Sequence, residues 1–354
     1  MKKHYKFIDL ATVVSALAVV FLHTNAIFWG LKPGAKHWLS ANLIETIFIF
    51  AVPVFFMISG ATLMDYIKKY NTKVYFKKRL KRAFVPYIIW SFIGLALQVL
   101  LFKTVAPDLV NAKYILNGLF SGSLVGIYWF FIPLFICYLA IPLLTLVPDK
   151  NKLAIYSYLA AIIFIFNITL PFINKVLNLE ISNISTMGTN VGLQSIFYLL
   201  MGYIILKREI TLRRRLVLYS LGLIGAALSF VLTHLVSCEA GKIISDYKGA
   251  FNVLMVPYCL AVFTYFRYEG EKLMERQKLA NIITSVKPYT FVIYLTHYFV
   301  LQILWGGYLK IDKDSLLNRL ILPFIVIVIV IIMTKIYELG CKLCKLIFSK
   351  MRKI

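Results

Sequence analysis

The chain has few acidic residues, few cysteines and no low-complexity tract. Only 15 of its 354 residues are Asp or Glu, against 39 Lys and Arg, so the formal net charge is +24. The five cysteines include Cys341-Lys-Leu-Cys344, which has the spacing of half a metal site. A second pair is missing, and zinc in structural sites requires four ligands. We therefore predict structural cysteines and no metal site.

The chain also lacks a long polar loop. The basic residues instead lie in short loops beside apolar segments, where they set membrane topology. Binding of nucleic acid requires a basic face on a folded domain, and no loop here is long enough to form one. The charge therefore does not indicate a nucleic-acid partner.

Apolar residues dominate what is present. The chain is 60% hydrophobic with a mean hydropathy of +0.80, whereas soluble domains are about 45–50% apolar. These values predict an integral membrane protein, with one all-α polytopic bundle of about ten transmembrane helices over residues 1–354 and no separate soluble domain. The ten apolar segments are 8–28, 42–64, 83–102, 125–147, 153–172, 188–206, 214–236, 250–266, 288–308 and 316–340.

The distribution of Lys and Arg predicts the orientation of this bundle. The N-terminus, the C-terminus and every second loop together hold 29 of the basic residues, and the alternate loops hold 10. Because Lys and Arg are enriched on the cytosolic side, both termini are predicted to be cytosolic. The predicted location is a cytoplasmic membrane, with the lipid bilayer as the surrounding partner.

The first apolar segment is long enough to cross a bilayer but contains two polar side chains. Fourteen residues separate Asp9 from His23, which at about 100° per residue places them within about 40° on one helix face. Thr12 and Ala16 lie on the same side. An imidazole in hydrocarbon is costly and should face the protein interior or a watery cavity. We predict a membrane cavity around His23.

Two further intramembrane residues extend this prediction. In the predicted topology, Glu45 lies in the outer half of the membrane at a depth similar to that of His23, where a carboxylate would orient the imidazole. His297 lies midway through the ninth segment, three residues after Tyr294 on the same helix face. A purely structural interpretation remains open for each histidine. The ring of His23 could be hydrogen-bonded to the backbone of a neighbouring helix, and His297 could form a hydrogen bond with Tyr294.

Arg79 and Arg82 precede the third segment and are three residues apart. An arginine pair can bind phosphate in a fork-like geometry, which predicts a site for a phosphorylated cytosolic ligand. The alternative is ordinary anchoring of a cytosolic helix end. Tyr128-Trp129 opens the fourth segment, and such residues are usually interfacial anchors.

Five stretches together resemble the acyltransferase-3 family of bacterial membrane O-acyltransferases. They are the first segment with Asp9 and His23, VPVFFMISG (52–60), KKRLKRAFVPYIIW (77–90), YWFFIPLFICYLAIPLL (128–144) and YTFVIYLTHYFVL (289–301). They occur in the family's order through most of the chain, and ten helices is the number expected for the family.

The resemblance implies transfer of an acyl group, usually acetyl, from cytosolic acyl-CoA to a hydroxyl of an envelope glycan or glycolipid. His23 matches the family's first-helix histidine, Arg79 and Arg82 match its Arg-x-x-Arg motif, and Tyr294 with His297 match its late Tyr-Leu-x-His pattern. The family commonly has an arginine eleven residues before the histidine, where this chain has Thr12. A basic side chain from another helix is one candidate to replace that arginine.

The expected site follows from these patterns. Acetyl-CoA is the expected co-substrate, and no bound cofactor is expected. A further expected partner is another copy of this chain in a homo-oligomer. The alternative functions are a secondary transporter that uses the intramembrane His and Glu residues, and a glycan flippase or polymerase. The predicted catalytic residues are His23, Glu45 and Asp9, the donor-binding residues Arg79, Arg82 and Ser59, and the cavity or acceptor residues Asn25, Tyr128, Trp129, Tyr294 and His297.

Overall fold

The computed structural model describes residues 5–188, 190–308, 312 and 314–351. This part of the chain is helical throughout and contains no strand. The α-helices in chain order are α1 Lys6–Thr24, α2 Trp38–Phe48, α3 Ala51–Leu63, α4 Thr72–Arg79, α5 Val85–Leu100, α6 Ala112–Ser121, α7 Phe131–Thr145, α8 Asp149–Ile163, α9 Leu170–Val176, α10 Ser182–Gly188, α11 Val191–Lys207, α12 Leu212–Ala240, α13 Met255–Tyr265, α14 Glu271–Leu273, α15 Gln277–Val286, α16 Thr290–Ile303 and α17 Leu316–Met351.

Several of these helices join end to end through short 3₁₀ or π-helical turns. In the described residues, seven of the resulting helices are long and apolar enough to cross a membrane. The polytopic bundle is therefore confirmed, whereas the number ten stays a prediction. The seven are Lys6–Gly30, Trp38–Lys68, Thr72–Leu100, Gly126–Thr145, Asp149–Val176, Leu212–Ala240 and Leu316–Cys344.

The bundle is built around α11, which is buried along most of its length and packs against α3, α7 and α8. By contrast, α12 and α17 carry large exposed apolar side chains, including Leu223, Leu235 and Ile336. In water such surfaces would be unfavourable, but a bilayer solvates them. The termini themselves, residues 1–4 and 352–354, lie outside the described residues.

The contact between α3 and α11 depends on two glycines. A Cβ added to Gly60 would overlap the carbonyl oxygen of Leu199, and one added to Gly202 would overlap the carbonyl oxygen of Met57. The backbones of the two helices therefore touch directly. Such close approach is typical of membrane helices, where packing replaces the hydrophobic effect as the driving force for association.

We expect Gly202→Ala to destabilise the bundle by about 1–3 kcal/mol because the added methyl group forces the two backbones apart. Gly340→Ala on α17 is the matched control, since a Cβ there has open space around it and Ala favours a helix by about 1 kcal/mol relative to Gly. Thermal unfolding of the purified protein in nanodiscs measures both. Equal melting temperatures for Gly202→Ala and the unmodified protein would contradict the close packing.

Candidate active site

His23 lies in the last turn of α1, where it lines a cavity of about 420 Å³. The cavity is formed mainly by α1, by α2 and the start of α3, and by the segment that leads into α7. Glu45, Trp129 and Tyr294 share its wall with His23. A cavity around His23 is therefore present, and besides α1, α2 and α3 its wall includes the approach to α7, the loop at residues 250–251 and Tyr294 of α16, but no residue of α5.

The ring of His23 has a polar partner on another helix, His297 of α16, in addition to a hydrogen bond with the backbone of Val19. His297 Nε2 lies 2.9 Å from His23 Nδ1, and the two ring centroids are 4.8 Å apart. His297 Nδ1 lies 2.8 Å from the backbone carbonyl oxygen of Ile293. A carbonyl oxygen only accepts, so Nδ1 of His297 carries a proton, and in the neutral ring Nε2 is an acceptor.

This chain of hydrogen bonds assigns both tautomers. Since Nε2 of His297 accepts, the proton between the two rings belongs to Nδ1 of His23, which donates it. Neutral His23 then has an unprotonated Nε2. The hydrogen bond from Nδ1 to His297 thus fixes the lone pair of His23 on Nε2, as a carboxylate fixes the tautomer of a histidine in other sites.

Glu45 is buried in the same cavity but is held by other groups. Asn25 Nδ2 donates to Glu45 Oε2 at 3.5 Å and to the carbonyl oxygen of Ala41 at 2.9 Å. The side chain of Trp29 also forms a hydrogen bond with this carboxylate. Within the described residues, Glu45 therefore shares the cavity with His23 without being its hydrogen-bond partner.

A fully buried arginine completes this network, and the sequence analysis did not identify it. Arg319, in the first turn of α17, donates from Nη1 to Asn25 Oδ1 and from Nη2 to Ser40 Oγ, each at 2.8 Å. The sequence does contain a signal for Arg319, because a charged residue inside an apolar segment is expected to face the bundle interior. Arg319 ties α17 to the end of α1 that carries His23.

Lys248 is a second basic residue that the sequence analysis did not identify. It lies in the loop before α13, is buried, and donates to Thr46 Oγ1. Burial lowers the pKa of Lys248 to about 8, and the charge of Glu45 opposes that shift. A buried lysine so close to the Glu45 carboxylate balances its charge at this end of the cavity.

A second, smaller cavity of about 210 Å³ lies further toward the N-terminal end of α1. Thr12, Ser59 and Arg82 line it together. Thr12 precedes His23 by eleven residues, about 16 Å along the helix axis. A basic residue of another helix, Arg82, therefore lines the same cavity as Thr12.

The same two aromatic side chains form the boundary between the cavities. Phe130 and Tyr294 line both of them, and their rings pack edge to face with centroids 5.5 Å apart. Tyr294 donates its hydroxyl proton to the carbonyl oxygen of Ile127 at 2.7 Å. The hydrogen bond suggested between Tyr294 and His297 is therefore replaced by one to the backbone.

Arg79 lies next to this second cavity but does not line it. Its guanidinium is 5.4 Å from the ring centroid of Tyr138, a residue that does line it. The chain is π-helical over Leu80–Phe84, between Arg79 and the start of α5, and this turn contains Arg82. The wider turn changes the angle between the two arginines from the one expected on a regular α-helix.

Two other predicted residues lie apart from the cavities. Asp9 forms an ion pair with Lys287 near the start of α1, fourteen residues or about 21 Å from His23. Tyr128 is buried and donates to the carbonyl oxygen of Leu295 at 2.7 Å, which connects the approach to α7 with α16. Within the described ranges, no group of three His, Cys, Asp or Glu side chains is arranged to hold a metal ion.

The family of the chain is established by comparison with known proteins. The acyltransferase-3 family model, described as an acyltransferase domain, matches residues 5–338. Since this match covers nearly the whole chain, the protein belongs to the acyltransferase-3 family and is a multi-pass membrane acyltransferase. No curated protein and no solved structure matches the chain significantly.

The tautomers can be measured directly by ¹⁵N NMR of the protein labelled at histidine and held in nanodiscs. We expect neutral His23 and His297 to carry their protons on Nδ1. His234 is an internal control of the opposite kind, since its Nδ1 accepts from Trp38 Nε1 at 2.9 Å and its proton must lie on Nε2. Protonated Nε2 on His23 would contradict the assigned hydrogen-bond chain.

Proposed function

We propose that the protein is an O-acyltransferase that moves an acetyl group from cytosolic acetyl-CoA to a hydroxyl of an envelope glycan or glycolipid. The observation that carries this proposal is the hydrogen-bonded pair of His23 and His297, in a cavity that shares a wall with the cavity lined by Arg82. A base and a cationic donor site are the two components that acyl transfer from a CoA thioester requires.

In this mechanism, Nε2 of His23 removes the proton from the acceptor hydroxyl as its oxygen attacks the thioester carbonyl carbon. The tetrahedral intermediate collapses by breaking the bond between carbon and sulfur. The sulfur leaves as the thiol of CoA after it takes the proton back from His23. One histidine therefore serves as base and then as acid, as is common for residues that titrate near neutral pH.

Two neighbours of His23 make its protonation easier. His297 accepts the Nδ1 proton and so shares the positive charge that develops on the His23 ring. Glu45, when ionised, supplies a negative charge in the same cavity, and such a charge is worth more away from bulk water. Glu45 acts in this proposal as an electrostatic partner and Asn25 as the group that positions it.

The donor is held from the opposite side of the aromatic boundary. Arg82 binds an anionic part of CoA, with Ser59 in the same cavity and Arg79 next to it. Arginine suits this purpose because its planar guanidinium forms two parallel hydrogen bonds to a phosphate. The thioester at the end of the flexible arm of CoA then passes Phe130 and Tyr294 to reach His23.

We expect His23→Ala to reduce acetyl transfer by about 10²–10⁴-fold, the usual contribution of a general base. The assay supplies labelled acetyl-CoA to the protein in proteoliposomes that contain envelope glycolipids, with no solute gradient. His234→Gln is the control, since that histidine contacts Trp38 and lies outside the cavity. Retention of normal transfer by His23→Ala would exclude this base, and a requirement for a gradient would favour transport.

We expect Arg82→Gln to raise the KM for acetyl-CoA by about 10- to 100-fold with little change in kcat, because a hydrogen bond to a charged group is worth about 1.5–3 kcal/mol. Lys81→Gln is the matched control, since Lys81 is the exposed neighbour of Arg82 in the same π-helical turn and does not line the cavity. An unchanged KM in Arg82→Gln would remove this residue from the donor site.

A further inference from the structure

A third cavity adjoins the one that contains His23. Its volume is about 600 Å³, which lies within the range of about 300–1,000 Å³ typical of ligand sites. One side is formed by α9 and the chain up to α10, and the other by the loop at residues 245–252. None of the residues assigned above to the base or the donor site lines it.

Amide and charged groups supply both donors and acceptors to this cavity. Asn178 and Asn252 contribute amides, and Glu180 contributes a carboxylate that is exposed to it. Lys175 and Asp246, which also line it, form an ion pair at 2.7 Å. Because amides donate and accept while carboxylates accept, the cavity can pair with ligand hydroxyl groups in either role.

The formal charges on the wall cancel. Lys175 is paired with Asp246, and the other two charged side chains of the wall are Glu180 and Lys248, of which Lys248 is also held by Thr46 and the charge of Glu45. Apolar surface is supplied by two aromatic rings, Phe172 and Phe251. Balanced charge disfavours an anionic or cationic ligand, and flat apolar rings beside hydrogen-bonding groups suit a ligand with C–H faces and many hydroxyls.

The third cavity and the His23 cavity share a wall. Ala250 and Phe251 line both. The segment is held in place by Tyr198, which donates its hydroxyl proton to the carbonyl oxygen of Ala250 and whose ring lies 5.7 Å from that of Phe251. A ligand in the third cavity is therefore one short segment away from the cavity of the proposed base.

From these observations we infer that the third cavity binds a neutral sugar unit of the acceptor and presents a hydroxyl of that chain toward His23. This inference rests on the proposed acetyl transfer for its purpose, although the binding itself is independent of it. The cavity sets which acceptors are used, while His23 and Arg82 carry out steps common to any alcohol acceptor.

Saturation-transfer NMR on the full-length protein in nanodiscs tests this inference, with cellobiose and N,N′-diacetylchitobiose as neutral disaccharide probes. We expect transfer to at least one probe, and loss of it in Ser245→Trp, where an exposed residue of the cavity edge is enlarged to fill the space. Phe172→Ala should weaken binding about tenfold because one stacking face is removed. The matched controls are Ser245→Ala and Glu239→Ala, the latter an exposed carboxylate outside the cavity.

A second measurement separates this inference from the proposed function. Hydrolysis of acetyl-CoA without an acceptor should be lost in His23→Ala and unchanged in Glu239→Ala, which lies outside all three cavities. Absence of binding to both disaccharides, or equal binding in Ser245→Trp and the unmodified protein, would overturn the sugar site. Sugar binding that persists in a protein without any acetyl-CoA turnover would support the site and overturn the acetyl transfer.

Discussion

The hydrogen bond between His23 and His297 is the interaction on which the rest of the site depends. It joins α1 to α16 across 274 positions of sequence. In a membrane interior no water is available to accept a hydrogen bond from an unpaired imidazole N–H. Leaving such a group unsatisfied costs several kcal/mol. Each ring therefore stabilises the other, and the backbone carbonyl of Ile293 fixes the direction of the whole chain of hydrogen bonds. Both the position of the His23 ring and its tautomer follow from this one contact.

The polar groups around this pair are arranged so that buried charges are compensated. Arg319 donates hydrogen bonds to Asn25 and Ser40. The Glu45 carboxylate accepts a hydrogen bond from Asn25 and is also stabilised by the charge of Lys248. Removing one member would leave a charge without compensation, which is more costly than never burying the pair. This explains why α17, otherwise among the most lipid-exposed helices, is fixed firmly to the end of α1.

The sequence predicted the helical bundle and the cavity around His23, because long apolar runs and a lone imidazole within one of them are local signals. Glu45 lies in that cavity but is held by Asn25, while His297 is the hydrogen-bond partner of His23. Asp9 shares the helix face of His23 in a helical wheel, but the fourteen residues between them span about 21 Å along the axis, because such a wheel gives the angle of a side chain and ignores its depth. The partnership with His297, the role of Arg319 and the approach of Arg82 to Thr12 all depend on contacts between distant helices. Such contacts are specified by packing and hydrogen bonding between helices. They produce no periodic pattern in the sequence from which they could be predicted.

The aromatic boundary between the two cavities has a consequence for the membrane as a whole. A cell membrane stores energy as an ion gradient, and a continuous column of water through a protein would discharge it. Phe130 and Tyr294 interrupt such a column, because their packed rings replace it with an apolar layer. Tyr294 is further fixed by its hydroxyl on Ile127. The bundle can thus contain two neighbouring cavities without a continuous column of water between them.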